Sequence, residues 1–266
     1  MKIILFVILF YNSALTAQNM SYCVDGECSI KTEEELRSKM NLDFDVMHSC
    51  ISNNHYVLSF DDEPSRNTLE ILRILNRFDI RASFFINTKK LEESDKDFEN
   101  NRKLVQKILY GGHEVNNHTV NHKDLSKIAA KEISYEIDFA YKTLNEIFSG
   151  KPDNLRADIV RPPFGYLSNK VGKVASELSV DYKFVRWNAD RYDWQKKRTY
   201  KEVLARLDQQ IRFINRLLEY DAELNRSILD LNHAWSKATL KALPKMIKKI
   251  KRESYEFVTT SECIGS

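Results

Sequence analysis

Glycine and proline are scarce, at seven and five of 266 residues, which excludes collagen-like and low-complexity chains. Neither sign of charge dominates, since 41 Lys and Arg against 38 Asp and Glu leave a net +3. Without a concentrated basic surface there is no electrostatic basis for a nucleic-acid partner, whose affinity rests on phosphate neutralisation. No apolar run approaches the ~20 residues that span a bilayer. Cysteine stops at four. What is there is 42% hydrophobic and 30% charged, too apolar for disorder and long enough for one large domain or two small ones.

The start of the chain points to a compartment. Met1-Lys2 is followed by a short apolar run, Ile3 to Tyr11, and then by the small residues Ala14 and Ala17. That pattern fits a secretory signal peptide over residues 1–17. The mature protein is therefore expected to be secreted, extracellular or at the cell wall, with no membrane span, and a monomer. The cysteines agree, because an even number in a secretory chain suggests disulfides. Four cysteines allow three pairings. Cys23 and Cys28 enclose a small loop and suit a local bond, which leaves Cys50 with Cys263. A zinc site is the rival reading, although the spacing offers one close pair and no second.

From about residue 55 short apolar runs alternate with helical patterns. Strands are expected over 55–61, 81–87, 113–117, 159–164, 182–187, 227–232 and 255–259. Helices are expected over 68–78, 127–148, 200–220 and 237–251, where apolar residues recur at three- and four-residue spacings. Such alternation without a Pro/Gly-rich linker argues a single α/β domain over 51–266, with a largely parallel sheet or barrel. Residues 18–50 form a polar N-terminal extension carrying the Cys23/Cys28 loop, expected to wrap the outside.

In parallel α/β folds ligands gather at the C-terminal ends of strands. Five consecutive candidate strand ends carry ionisable residues: Ser59-Phe60-Asp61-Asp62, His118-Thr119-Val120-Asn121-His122, Arg161-Pro162-Pro163-Phe164, Asp190-Arg191-Tyr192-Asp193-Trp194 and Leu231-Asn232-His233. Each has an ordinary explanation alone. Paired aspartates cap turns, histidines four apart lie on surfaces, and a single histidine is usually a satisfied core residue. Together at one sheet edge they suit metal-assisted hydrolysis, because two histidines and a carboxylate make a zinc-type set with open positions.

The order of these motifs resembles the polysaccharide deacetylase family, the NodB homology domain of carbohydrate esterase family four, including its chitin deacetylases. The resemblance spans roughly residues 50–264. It implies a distorted (β/α) barrel and removal of acetyl groups from a glycan with the help of a divalent metal, most often zinc. By motif, Asp62, His118 and His122 would hold the metal, and Asp61 would be the general base with Arg161 as its cationic partner. The Phe164 N–H would stabilise an oxyanion. His233, supported by Asp193, would protonate the leaving amine, while Trp194 and Leu231 would line the acetyl pocket. Fungal-type members resemble this chain in a terminal disulfide at Cys50 and Cys263.

The chain departs from the family pattern at three points. Glu63 replaces a glycine after the paired aspartates and is expected to crowd the cleft or compete for the metal. Asn116 replaces a glycine two residues before His118, and Ala234 replaces an aspartate after His233. The leading reading is a deacetylase of N-acetylglucosamine polysaccharide, chitin first, with xylan or peptidoglycan as other substrates. A different class is an inactive, deacetylase-like glycan-binding or structural wall protein. Asn19, Asn117 and Asn225 begin N-x-[S/T] patterns, but a glycan on Asn117 would block the cleft. The basic run 245–252 places Ile247 and Ile250 at helical spacing and reads as the solvated side of an outer helix.

Overall fold

A computed structural model of the chain describes residues 20–24, 27–148 and 152–266. The proposed signal peptide lies outside the described residues. The strands are β1 Met20–Val24, β2 Glu27–Lys31, β3 Val46–Met47, β4 His55–Glu63, β5 Ser83–Ile86, β6 Glu114–Asn117, β7 Leu155–Val160, β8 Lys183–Val185, β9 Ala189–Asp190, β10 Ile228–His233 and β11 Glu256–Phe257. They form one sheet in the order β2-β1-β9-β10-β4-β5-β6-β7-β8-β3, with β11 also beside β4. From β9 through to β3 every pairing is parallel. Because β8 and β9 belong to one short run of chain, residues 183–190 border β7 at one end and β10 at the other. The sheet therefore curls into the expected distorted (β/α) barrel.

Strand β4 shows why the sequence folds this way. A parallel strand enclosed on both faces reads as a nearly continuous apolar run, and Tyr56 to Phe60 are all completely buried. Tyr56, Leu58 and Phe60 pack outward in the main core beneath the helices. Val57 instead joins Phe85, Ile159, Val185 and Leu229 in a separate inner cluster. The two-residue period of the strand then carries Ser59 and Asp61 up the inner side toward the C-terminal end of the sheet. The helices 68–78, 200–218 and 237–252 cover the outer face. In the last of these Met246, Ile247 and Ile250 are buried, so the basic run is the solvated side of an outer helix.

The inner cluster is closed at its base by the disulfide Cys50–Cys263, which packs with Val57, Val258 and Ile264. Ser227 Oγ accepts from the Cys50 amide at 3.0 Å, and Asn225 Nδ2 donates to the Cys50 carbonyl at 2.8 Å. The bond joins residues 213 apart in sequence. Replacing both cysteines by alanine should cost about 2–4 kcal/mol, measured as a lower urea midpoint. An unchanged midpoint would show that packing alone holds the base together. For the other pair, the β1–β2 register sets Cys23 opposite Cys28 and Cys28 is disulfide-bonded, but the Cys23 side chain lies outside the described residues.

Residues before Cys50 also enter the sheet: β1 runs parallel to β9 and β3 parallel to β8. Among the described residues no helix is long and apolar enough to cross a membrane.

Candidate active site

Strand β4 ends in an irregularity that turns its two aspartates apart. Its register against β5 shifts between Phe60 and Glu63, and Asp62 takes a left-handed φ of 62°. Lys90 holds this segment, its ammonium donating to the Asp62 carbonyl at 2.5 Å and the Pro64 carbonyl at 3.2 Å. Thr119, His122 and Phe164 are left-handed as well, with φ of 67°, 57° and 59°. Each such non-glycine residue costs on the order of 1–3 kcal/mol, and clusters of them mark sites where loop geometry is enforced by the surroundings.

The result is a tight set of donors. His122 Nε2 lies 3.3 Å and His118 Nε2 3.7 Å from Asp62 Oδ1, and ligand atoms of all three residues fall within 4.8 Å of one another. The His118 Nδ1 is 2.8 Å from the Arg161 carbonyl. A carbonyl only accepts, so Nδ1 carries the proton and Nε2 presents its lone pair to the site. Burial, helped by the neighbouring His118, lowers the His122 pKa and favours its neutral form. For Asp62 burial acts in the opposite direction, but the three surrounding histidines and a Trp235 hydrogen bond outweigh it and lower the pKa. Neutral imidazole nitrogens with a carboxylate oxygen are the donor chemistry of a divalent zinc-type site.

Two ion pairs flank this set. On one side the completely buried Arg161 donates through Nη1 to Asp61 Oδ1 and Ser59 Oγ, both at 2.7 Å. Its guanidinium lies over the Phe85 ring at 3.9 Å. Asp61 Oδ2 is left 3.8 Å from His118 Nε2. On the other side His233 Nδ1 is 2.8 Å from Asp193 Oδ1, and the His233 amide donates to Asp193 Oδ2 at 2.8 Å. Thr239 Oγ1 donates to the same Oδ2. Burial alone would lower the His233 pKa, but the Asp193 carboxylate, helped by Asp61 and Asp62, raises it to about 9. Its Nε2 stands 4.0 Å from Asp62 Oδ2.

The remaining expected residues take different positions. Leu231 is buried on β10, whereas Phe164 and Trp194 are 55% and 47% exposed. The Phe164 ring lies against His122, with centroids 4.7 Å apart. Asp190 braces the β9 loop, accepting from the Tyr192 amide at 2.6 Å and the Trp194 indole at 3.4 Å. Asn117 and Asn225 are buried, and the Asn117 amide donates to the Ile137 and Ala157 carbonyls at 3.0 and 3.3 Å. Neither is a free glycan acceptor in the folded chain, and Asn19 lies outside the described residues.

Glu63 does not crowd the cleft. It is fully buried and turned toward the start of helix 68–78, where Thr68 Oγ1 and the Ser65 amide donate to Oε2. The strand irregularity at Asp62 changes which way the next side chain faces, and motif spacing cannot show this. Asn116 is likewise buried and donates to Glu114 at 2.9 Å, and Ala234 is buried.

Burial raises the Glu63 pKa to about 7, with hydrogen bonds and Lys90 only partly opposing it. A folded pKa above the unfolded value of about 4.3 means that stability falls as pH rises from there through 7. Glu63→Gln should therefore be more stable than the wild type at pH 8 by about 1–3 kcal/mol, with the advantage shrinking toward pH 4.5. Urea midpoints of the metal-free proteins at the two pH values test this, and equal midpoints at pH 8 would refute it.

Motif reading missed Trp235, whose indole N–H donates to Asp62 Oδ2 at 3.0 Å. Strand β10 ends at His233 and Trp235 lies in the turn that follows, so no strand period placed its side chain. It also missed Lys90 and Thr239, which are distant in sequence from the groups they hold.

Comparison with known proteins identifies the family. Residues 49–183 match the family model described as polysaccharide deacetylase. The chain is 26% identical to a peptidoglycan-N-acetylglucosamine deacetylase of Bacillus cereus, over 80% of this chain and 91% of that protein. It is 27% identical to the corresponding Listeria monocytogenes enzyme over 80% of this chain, a match that spans only 40% of that longer protein. The fold is similar to the chitin deacetylase from the fungal pathogen Colletotrichum lindemuthianum, with a TM-score of 0.67 and 21% identity over 83% of this chain and 92% of that one. The chain belongs to the polysaccharide deacetylase family.

Proposed function

We propose that the protein is a secreted, metal-dependent deacetylase that hydrolyses N-acetyl groups of N-acetylglucosamine residues in a polysaccharide, chitin or peptidoglycan. One observation carries this reading: the Asp62, His118 and His122 donor set stands between the Asp61–Arg161 and His233–Asp193 pairs. A divalent ion, zinc first, would be held by Asp62, His118 and His122. When bound, it supplies Lewis acidity toward an acetamide oxygen and acidifies a water.

The chain's own groups divide the proton work. Asp61 takes the proton of the attacking water through Oδ2, while Arg161 fixes the carboxylate through Oδ1. The Phe164 N–H stabilises the carbonyl oxygen as it gains charge. His233 is protonated at neutral pH and gives its Nε2 proton to the departing nitrogen, so that the C–N bond breaks to leave acetate and an amine. Leu231 and Trp194 border the acetyl methyl. The orientations of Glu63, Asn116 and Ala234 support a working enzyme over an inactive binding protein, since none of the three reaches the reacting groups.

The catalytic domain is 51–266, the 18–50 extension adds strands to its sheet, residues 1–17 are a signal peptide, and the working unit is a monomer. Zinc-loaded protein should release acetate from chitin oligomers or peptidoglycan in preference to acetylated xylan. Zinc binding without acetate release from any of the three would leave the glycan-binding reading in its place.

A further inference from the structure

Asp62 has two carboxylate oxygens, and the site treats them differently. Oδ1 faces the two histidines, at 3.3 Å from His122 Nε2 and 3.7 Å from His118 Nε2. Oδ2 accepts the Trp235 indole N–H at 3.0 Å and has His233 Nε2 at 4.0 Å. The Asp62 main chain is also anchored, because Lys90 donates to its backbone carbonyl where the backbone is left-handed. Trp235 is half-buried, with its ring 5.1 Å from that of His233. An indole has one donor and no acceptor, so its polar atom can only donate, and here it donates to the Asp62 carboxylate.

We propose that Trp235 is a positioning residue of the metal site, committing Asp62 Oδ2 to the indole so that Oδ1 alone faces the metal. A carboxylate is otherwise free to rotate about its last bond. It can offer both oxygens to an ion or turn Oδ2 toward His233, whose Nε2 lies 4.0 Å from that oxygen. Either movement changes the site, the first by filling a position needed for water or substrate and the second by drawing Asp62 away from the histidines. Hydrogen-bond partners of ligand groups typically tune metal affinity by 10- to 100-fold. This inference rests on the metal reading of the site and adds to it the residue that sets the carboxylate's mode of binding.

Trp235→Phe keeps an aromatic ring and removes the N–H. Zinc affinity, measured by competition with a chromogenic chelator, should fall about 10- to 100-fold. The visible absorption spectrum of the cobalt-substituted protein should change in position or intensity, because the carboxylate is no longer confined to one oxygen. Should Trp235→Phe fold poorly by circular dichroism, replacement of Trp235 with benzothienylalanine removes the N–H at nearly constant shape and is measured in the same way. Wild-type zinc affinity together with an unchanged cobalt spectrum in the folded variant would overturn the role of Trp235 and leave the metal site intact. Failure of the wild type itself to bind zinc or cobalt would overturn the metal reading, and the Trp235 proposal with it.

Discussion

Asp61→Asn should retain zinc and lose about 10²- to 10⁴-fold in turnover, whereas His118→Ala should lose both zinc and turnover. The two residues lie only 3.8 Å apart, so the contrast depends on what each atom can do. Asparagine still accepts from Arg161 Nη1 and Ser59 stays within that network, but a neutral amide cannot take a proton from water. Alanine at 118 removes one of three ligand atoms, along with the Nδ1 contact to the Arg161 carbonyl. Asp62→Ala should behave like His118→Ala, since ligand number and charge both fall. Chelator competition separates the classes, and acetate release gives the rate. Loss of zinc in Asp61→Asn would make Asp61 a ligand and require a different base. That substitution also removes the ion-pair partner of the buried Arg161, so a lower melting temperature is expected whatever happens to the metal.

The parts of the fold legible in the sequence were those with a strong local period. Strand β4 reads as buried because every residue from Tyr56 to Phe60 is apolar or small. Helix 237–252 reads from its buried stripe despite Pro244 within it. Strands β3 and β9 have two residues each, too short to carry any period, and they exist because neighbouring strands supply their hydrogen bonds. Strand β7 begins at Leu155, earlier than expected, because Arg156 and Asp158 pair with each other at 2.9 Å instead of facing solvent separately. Helices 98–110 and 169–176 were not assigned from periodicity. Each buries only three residues, which leaves a weak apolar stripe.

At the site, which residues gather was legible and orientation was not. The motifs brought Asp61, Asp62, His118, His122, Arg161, Asp193 and His233 to one end of the barrel as expected. Which way a side chain faces after a left-handed residue depends on backbone geometry with no residue signature here, because Asp62 occupies a conformation that usually favours glycine. The Glu63 expectation failed for this reason. Lys90 and Thr239 were invisible for another: a long cation or a hydroxyl reaching a distant loop leaves no mark in local spacing. The motifs also do not describe the surfaces beyond the donor set, where Tyr166 and Trp194 are exposed.

Asp193→Asn should lower deacetylation by about 10²-fold or more and move the alkaline limb of its pH profile downward. Asp193 does two things to His233, accepting from its ring and backbone nitrogens and supplying most of the opposing charge. The sign follows from the acid's role. His233 must be protonated to give its proton to the leaving amine, so activity persists below its pKa, which Asp193 raises above the ordinary histidine value, and falls above it. With asparagine the charge is gone while burial, which lowers a histidine pKa, remains. The pKa should then drop toward or below the ordinary 6.5, leaving little of the acid form at pH 8. The raised pKa also adds folding stability that is complete below about 6.5 and lost as pH rises through 9, so the variant's stability deficit should narrow above pH 9. Rate–pH profiles of zinc-loaded wild type and variant, with zinc occupancy checked at each point, read the effect directly. An alkaline limb left in place, at full occupancy, would show that His233 is not the acid and that another group protonates the amine.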